Sequence, residues 1–255
     1  MKSPLEAFPV RKRCSGSESR GKLAVVIDTS FDFRSDAGGK DPDSYSATLR
    51  RYHQVLWSKP LPSGLPFDLS VTQPGAYLYH RSDLGEFVLA SDSVIPTFGR
   101  WKRLSPIIEQ IPKRETEAFR ALSYTIGAMM VFPGNRVEGK ATINGARGFN
   151  VRIADRLDLT LECIRRHYLH LESPLADTLA LYSDFFSLFG DFSGYVDFFL
   201  LDDLVTLDQE VRFHLPFEDF RMSAYPRDLA SYLDYRRSSI EFIEARNRRI
   251  RALYD

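Results

Sequence analysis

The chain is poor in cysteine and histidine, carries no net charge and contains no long apolar run. Its two cysteines, Cys14 and Cys163, make no disulfide framework, which fits a reducing, cytoplasmic compartment. Of the five histidines only His167 and His170 lie close together. No Cys/His cluster offers the four ligands of a structural zinc. Lysine plus arginine is 34 and aspartate plus glutamate is 34. That balance excludes a global electrostatic pull toward nucleic acid or anionic lipid and leaves only local patches. No apolar run approaches the roughly 20 residues a membrane span needs. The N-terminus lacks the apolar stretch of a signal peptide. No membrane partner is expected.

What is present is a globular composition. The 255 residues are 44% hydrophobic, 13% aromatic and 27% charged, which rules out disorder along the whole chain. A chain this long buries about three quarters of its unfolded surface, so it needs no disulfide or metal to hold it. Residues 1–21 read as a flexible basic leader, and 22–255 as a single α+β domain. Leu23–Ile27 is a β-branched run expected as a buried strand. A helix is expected over Ala47–Ser58. Strands follow at Ala76–Tyr79 and Glu86–Ala90 around the turn His80–Gly85, with Val94–Thr97 as an extension. Short helices near Leu104–Gln110 and Glu115–Ser123 precede a second buried strand within Tyr124–Phe132.

The second half is expected to be mostly helical. Phe149, Ile153, Leu157, Leu161, Ile164 and Tyr168 step by 4, 4, 4, 3 and 4, one face of a helix from Asn144 to about His170. Further helices are expected from Pro174 to Phe189 and from Arg227 to Leu253. Tyr195–Val205 reads as aromatic helix or strand, and Val211–Leu215 as a strand. The expected architecture is a small mixed sheet from the N-terminal half covered by long helices from the C-terminal half.

Two polar loops each follow a buried-strand candidate. The first, TSFDFRSDAGGKDPD (29–43), gathers Asp32, Asp36, Asp41 and Asp43 with Arg34 and Lys40. Loops at strand ends are where ligands bind in α/β proteins. Its oxygen donors suit Mg²⁺ or Ca²⁺, although the spacing fits no EF-hand. The second, GNRVEGKATINGARGFN (134–150), carries Arg136, Lys140, Asn144, Arg147 and Asn150 among four glycines. Glycines let backbone approach an anion and arginine forks onto phosphate. It is not a Walker loop, because Ala141 follows Lys140 where a Mg²⁺-binding hydroxyl is required. His80, at a strand end beside Arg81 and Ser82, is a candidate general base. The arginines of the last helix read as a solvated, ion-paired face or as a nucleic-acid contact.

The chain carries three resemblances. YLYHRSDLGE (77–86) resembles the His-bearing first strand of some ADP-ribosyltransferases, but Arg81 stands where their glycine follows the histidine. RRHYLH (165–170) is similar to the R-x4-H core of HEPN-type ribonucleases. More extensively, SFDFRSD, DPDSYSATLRRYH, LWSKPLPSG, YHRSDLGEF, MVFPGNR, TINGARGFN and DLTLECIRRHY resemble an uncharacterised bacterial protein family, a domain of unknown function. That resemblance spans most of residues 29–250 and implies a bacterial cytosolic protein. Such families sometimes occur among phage-defence genes.

The expected function is binding of a phosphate-bearing ligand, nucleotide or nucleic acid, by a hydrolase or transferase. Arg34, Arg136, Lys140, Asn144, Arg147 and Asn150 would hold phosphate. Asp32, Asp36 and His80 would supply acid–base groups. The alternative is a protein-interaction module without catalysis: an antitoxin, adaptor, complex subunit or homo-oligomer.

Overall fold

A computed structural model describes residues 26–254. The basic leader 1–21 and residues 23–25 of the first expected strand lie outside the described residues. Val26 and Ile27 are in irregular backbone rather than a strand. The fold is α+β, with two small antiparallel sheets in the N-terminal half and a long C-terminal helix.

Helix α1 (Pro42–Tyr45) opens on a proline at its first turn and is capped by Asp41. Its C-cap, Ser46, also caps α2 (Ala47–Trp57), accepting the Leu49 N–H at 3.0 Å. Leu49, Tyr52, His53, Leu56 and Trp57 form the buried face of α2, the spacing of a one-sided helix. β1 (Lys59–Pro60) and β2 (Pro66–Phe67) make a two-stranded ribbon.

The main sheet is β3 (Leu78–Ser82), β4 (Gly85–Ser93) and β5 (Met129–Pro133), in that order. Both pairings are antiparallel, which corrects the expected mixed sheet. The reason is local: the Val94 N–H bonds Ala128 O at 3.0 Å, so β5 starts beside the end of β4 and runs back along it. The chain between them carries α3 (Ser105–Ile108) and α4 (Lys113–Leu122). Val94–Thr97 does not extend the strand, and His80 lies inside β3 rather than in the turn.

The expected helix from Asn144 to His170 is two helices, α5 (Ile143–Phe149) and α6 (Leu157–Tyr168). Thr142, not Asn144, caps α5. Phe149, counted on the apolar face, is 92% exposed. At the break Ala154 and Asp155 adopt φ of 50° and 64°, a left-handed backbone that no α-helix allows. The segment expected as one helix to Phe189 holds α7 (Ala176–Ala180) and α8 (Ser183–Ser187). α9 (Phe192–Phe199) ends at Leu200, and Val211 makes only an isolated bridge with Val205.

α10 (Leu229–Ala252) starts with a capping box of Asp228 and Ser231. Its inner face carries a fully buried Arg246, whose guanidinium donates to the carbonyls of Gly127, Met129 and Phe199. The neighbouring Asn247 accepts the Gly127 N–H at 2.8 Å. These bonds tie α10 to the entry of β5. One cluster of buried apolar side chains runs from Ile27 to Ile250.

Candidate functional site

An open cleft of about 610 Å³ lies where the loop before α1, the end of β4, the Gly99–Trp101 turn and the end of α4 meet. Its charges are sorted by depth. The floor is acidic: Asp43 from α1, Asp92 from β4, and Asp155 from the α5–α6 break. The rim is mainly basic and aromatic, with Lys40, Arg100, Arg120, Trp101 and Tyr124, and Asp41 is the exposed carboxylate among them. Lys40 rests over the Tyr45 ring at 4.6 Å, and Arg120 reaches Glu117 only at 3.9 Å. Among the described residues no ion pair engages Lys40 or Arg100.

One arginine holds the floor together. Arg147 of α5 is fully buried and reaches the carboxylates of Asp92 and Asp155 at 2.5 and 2.8 Å. Its remaining donors go to Thr160 Oγ1 and the Asp155 carbonyl. This last bond explains the left-handed backbone at Asp155: the turn brings both the carbonyl and the carboxylate of one residue to a single guanidinium. Asp92 and Asp155 keep 20% and 26% of their side-chain surface.

The floor carboxyls resist ionisation. Burial pushes Asp43 up to about 6, and the charge of Asp41 adds to it, against the Ser93 N–H and Ser91 hydroxyl that stabilise the anion. Burial also raises Asp92, with Asp155 and Asp43 adding and Arg147 opposing. Asp155 is raised by burial against the same arginine. A carboxyl near 6 at the foot of a cleft can both give and take a proton near neutral pH.

Behind the floor lies a hydrogen-bonded row. Ser91 Oγ is 3.4 Å from Asp43 Oδ1 and 3.0 Å from His53 Nε2. His53 Nδ1 is 3.0 Å from Trp57 Nε1. Asn144 Nδ2 donates to the Ser91 carbonyl at 3.1 Å. Asn144 Oδ1 and the Tyr77 hydroxyl are buried with no partner. Buried unpartnered polar atoms mark places where water or a ligand group completes the bonding.

The two polar loops singled out in the sequence do meet, but through Asp43, Asn144 and Arg147. Arg147 presents no free face to a phosphate, because its guanidinium is spent on protein groups. Asp32 caps the 3-10 turn Phe33–Ser35 and pairs with Arg34, which also reaches Glu117 at 2.9 Å. Asp36 accepts the Thr48 N–H at 3.0 Å, in the first turn of α2. His80 is buried between Phe67 and Phe87 and bonds Asp68 O and Ser82 Oγ, both at 2.8 Å. Arg136 is exposed, and Lys140 pairs with Glu138 on the surface. Asn150 bonds Pro174 O at 3.3 Å and accepts the Arg152 N–H. Asp32, Arg34, Asp36, His80, Arg136, Lys140 and Asn150 do not line the cleft, whereas Arg147 braces its floor and Asn144 stands behind it.

Asp92, Asp155, Ser91 and His53 were not singled out by sequence. Asp92 carried one usable signal, an acidic residue inside an otherwise apolar strand pattern. The arginine of the R-x4-H segment, Arg165, pairs with the buried Glu162 at 2.8 Å, and His170 is exposed at the helix end. Among the described residues no group of three or more His, Cys, Asp or Glu is arranged to hold a metal ion. No described helix is long and apolar enough to cross a membrane.

A family model described as a family of unknown function, DUF6994, matches residues 27–250. No curated protein and no solved structure matches the chain.

Proposed function

We propose that this chain, which belongs to the DUF6994 family of unknown function, binds a phosphate-bearing small molecule of nucleotide type in the cleft and acts on it as a hydrolase or transferase. The observation that carries the reading is the sorting of charge by depth. Lys40, Arg100 and Arg120 stand at the rim with their charges largely uncommitted, where phosphate oxygens would be held. Trp101 and Tyr124 line the cleft beside them, and the Tyr124 ring already carries the Arg34 guanidinium at 5.3 Å. The floor carboxylates accept hydrogen bonds, so the inner end of the ligand is its hydroxyl-bearing part. Asp43 is the acid–base group. Four aspartates, counting Asp41, face four cations, counting Arg147, so an anion entering meets no net repulsion. The volume lies in the range of small-molecule sites.

A single nucleotide fits better than a nucleic-acid strand. On α10, Arg236, Arg237 and Arg249 are engaged with Glu115, Asp234 and Asp203, which leaves Arg248 and Arg251 without an ion pair among the described residues, too few to track a backbone. The sparse cysteine content supports a cytoplasmic setting. A second reading, a protein-interaction module, is favoured by Phe149 and Val151, which are 92% and 68% exposed next to the α5–α6 break.

The test is a thermal-shift panel of nucleotides and sugar phosphates, with and without Mg²⁺. A ligand at about 100 times its Kd stabilises by about 2.7 kcal/mol, or roughly 5–10 °C in a chain this size. The double variant Arg100→Ser/Arg120→Ser is expected to lose most of that shift. A panel without any shift refutes the cleft reading and favours the interaction module, which light scattering would then test.

A further inference from the structure

Ser91, His53 and Asp43 are neighbours, an arrangement that invites comparison with a nucleophilic triad. The directions of the hydrogen bonds say otherwise. The Trp57 indole nitrogen carries a hydrogen and can only donate. It lies 3.0 Å from His53 Nδ1, so that nitrogen is the bare one. His53 is fully buried, and burial together with the charge of Arg246 holds its pKa down to about 3, so the ring is neutral. A neutral ring with a bare Nδ1 carries its hydrogen on Nε2. Nε2 is 3.0 Å from Ser91 Oγ, so His53 donates to the serine and cannot take its proton. The serine's own hydrogen is then directed to Asp43 Oδ1, at 3.4 Å.

We propose that Trp57, His53 and Ser91 form a one-way donor relay that ends on the Asp43 carboxylate, with His53 as the positioning residue that fixes the serine hydroxyl. Its importance for catalysis rests on Asp43 being the acid–base group of the cleft, whereas the relay belongs to the free protein. The relay rules out His53 as a base for Ser91: the serine donates its hydrogen bond to the Asp43 carboxylate and accepts one from an imidazole N–H. Ser91 is also held from its other end, by the Asn144 amide on its carbonyl. The Ser93 N–H fixes the second Asp43 oxygen at 3.2 Å. The titratable and charged groups around Asp43 are Asp41 just before it, Asp155 from the α5–α6 break, the Asp92–Arg147 pair, and the buried Tyr77 hydroxyl beside Ser91. Around His53 stand the Tyr77 ring, at 6.4 Å, and the Arg246 charge from α10.

The test is nuclear magnetic resonance on the free protein. Nitrogen spectra of histidine-labelled protein are expected to show His53 as the Nε2–H tautomer, unchanged from pH 5 to pH 8. The signal is assigned by its loss in His53→Gln. Carboxyl-carbon titration of Asp43 is then compared across variants. Ser91→Ala is expected to raise its midpoint by about one pH unit, the low end for one hydrogen bond to a charged group, as its 3.4 Å length implies. His53→Gln is expected to leave the midpoint in place, because glutamine accepts from Trp57 through Oε1 and donates to Ser91 through Nε2. His53→Phe, which can do neither, is expected to raise it. An Nδ1–H tautomer, or an Asp43 midpoint that Ser91→Ala does not move, overturns the relay even if His53→Phe fails to fold. Absence of ligand binding with these spectra as expected would sink the nucleotide reading and leave the relay standing.

Discussion

Replacing Asp43 by asparagine should make the protein more stable above neutral pH. The Asp43 carboxyl is pushed from an ordinary value of about 3.9 to about 6. Its folded-state pKa is therefore higher than its unfolded one, and the folded chain holds a proton that the unfolded chain releases. Stability falls as pH rises through that window, from about 4 to about 6, and the full cost is present above it. A shift of about two units corresponds to about 3 kcal/mol. The asparagine of Asp43→Asn would be neutral at every pH. Its single oxygen can keep the Ser93 N–H, but the Ser91 hydroxyl loses its acceptor, which costs about 1 kcal/mol. The net gain at pH 8 is about 2 kcal/mol, or roughly 4–8 °C in Tm. At pH 4 the wild-type carboxyl is already protonated, and the variant gains nothing. Calorimetric Tm values for both proteins at pH 4, 5, 6, 7 and 8 check this. A Tm difference that stays constant across the series, or a variant less stable at pH 8 than at pH 4 relative to wild type, refutes the reasoning.

Arg147→Met should cost about 3–5 kcal/mol at pH 7.5, because Asp92 and Asp155 lose their shared cation. Urea titration at pH 7.5 and 4.5 should show a smaller loss at the lower pH, where the carboxyls take protons, and Asp92→Asn in the same chain should recover part of it. Gly127→Ala should destabilise by about 3 kcal/mol, since a Cβ there would lie 2.6 Å from the Ile243 carbonyl and 2.7 Å from Asn247 Oδ1. An unchanged urea midpoint would show that α10 does not press against that turn.

Local rules made part of this fold legible. The helix over Ala47–Trp57, with its three- and four-residue steps, is contained in a dozen consecutive residues, and the hairpin of β3 and β4 was legible although its turn is tighter than the expected His80–Gly85. The α5–α6 break was not legible. The apolar steps from Phe149 to Tyr168 fit one helix, and what breaks it is the reach of Arg147 to the carbonyl of Asp155. A buried charge that recruits a backbone group eight residues on leaves no periodic trace. The site divides in the same way. Polarity and glycine content pointed to the two loops that converge, and Asp43, Asn144 and Arg147 lie in them. Burial decided which residues face the cleft, and burial is a tertiary property. His80, polar and at a predicted strand end, turned inward between two aromatic rings, while Asp92 emerged from the strand beside it.

Two arginine–aspartate clusters in this protein use the same chemistry to opposite effect. Arg156 and Asp158 are both fully buried and form a closed pair, joined by the His214 backbone N–H and the Ala224 carbonyl. Burial alone would raise Asp158, but Arg156 and these bonds outweigh it and hold the carboxyl down to about 2. That cluster is complete. Around Arg147, two carboxylates share one cation and a third, Asp43, stands close by, so all three are held above their ordinary range. If the corner only had to be filled, apolar side chains of similar volume would serve as well or better. A cluster that holds its carboxyls above their ordinary range and opens on a cleft has the character of a working site rather than a brace. The contrast is measurable within one chain: Asp158→Asn should destabilise at every pH above about 4, whereas Asp43→Asn should stabilise above pH 6.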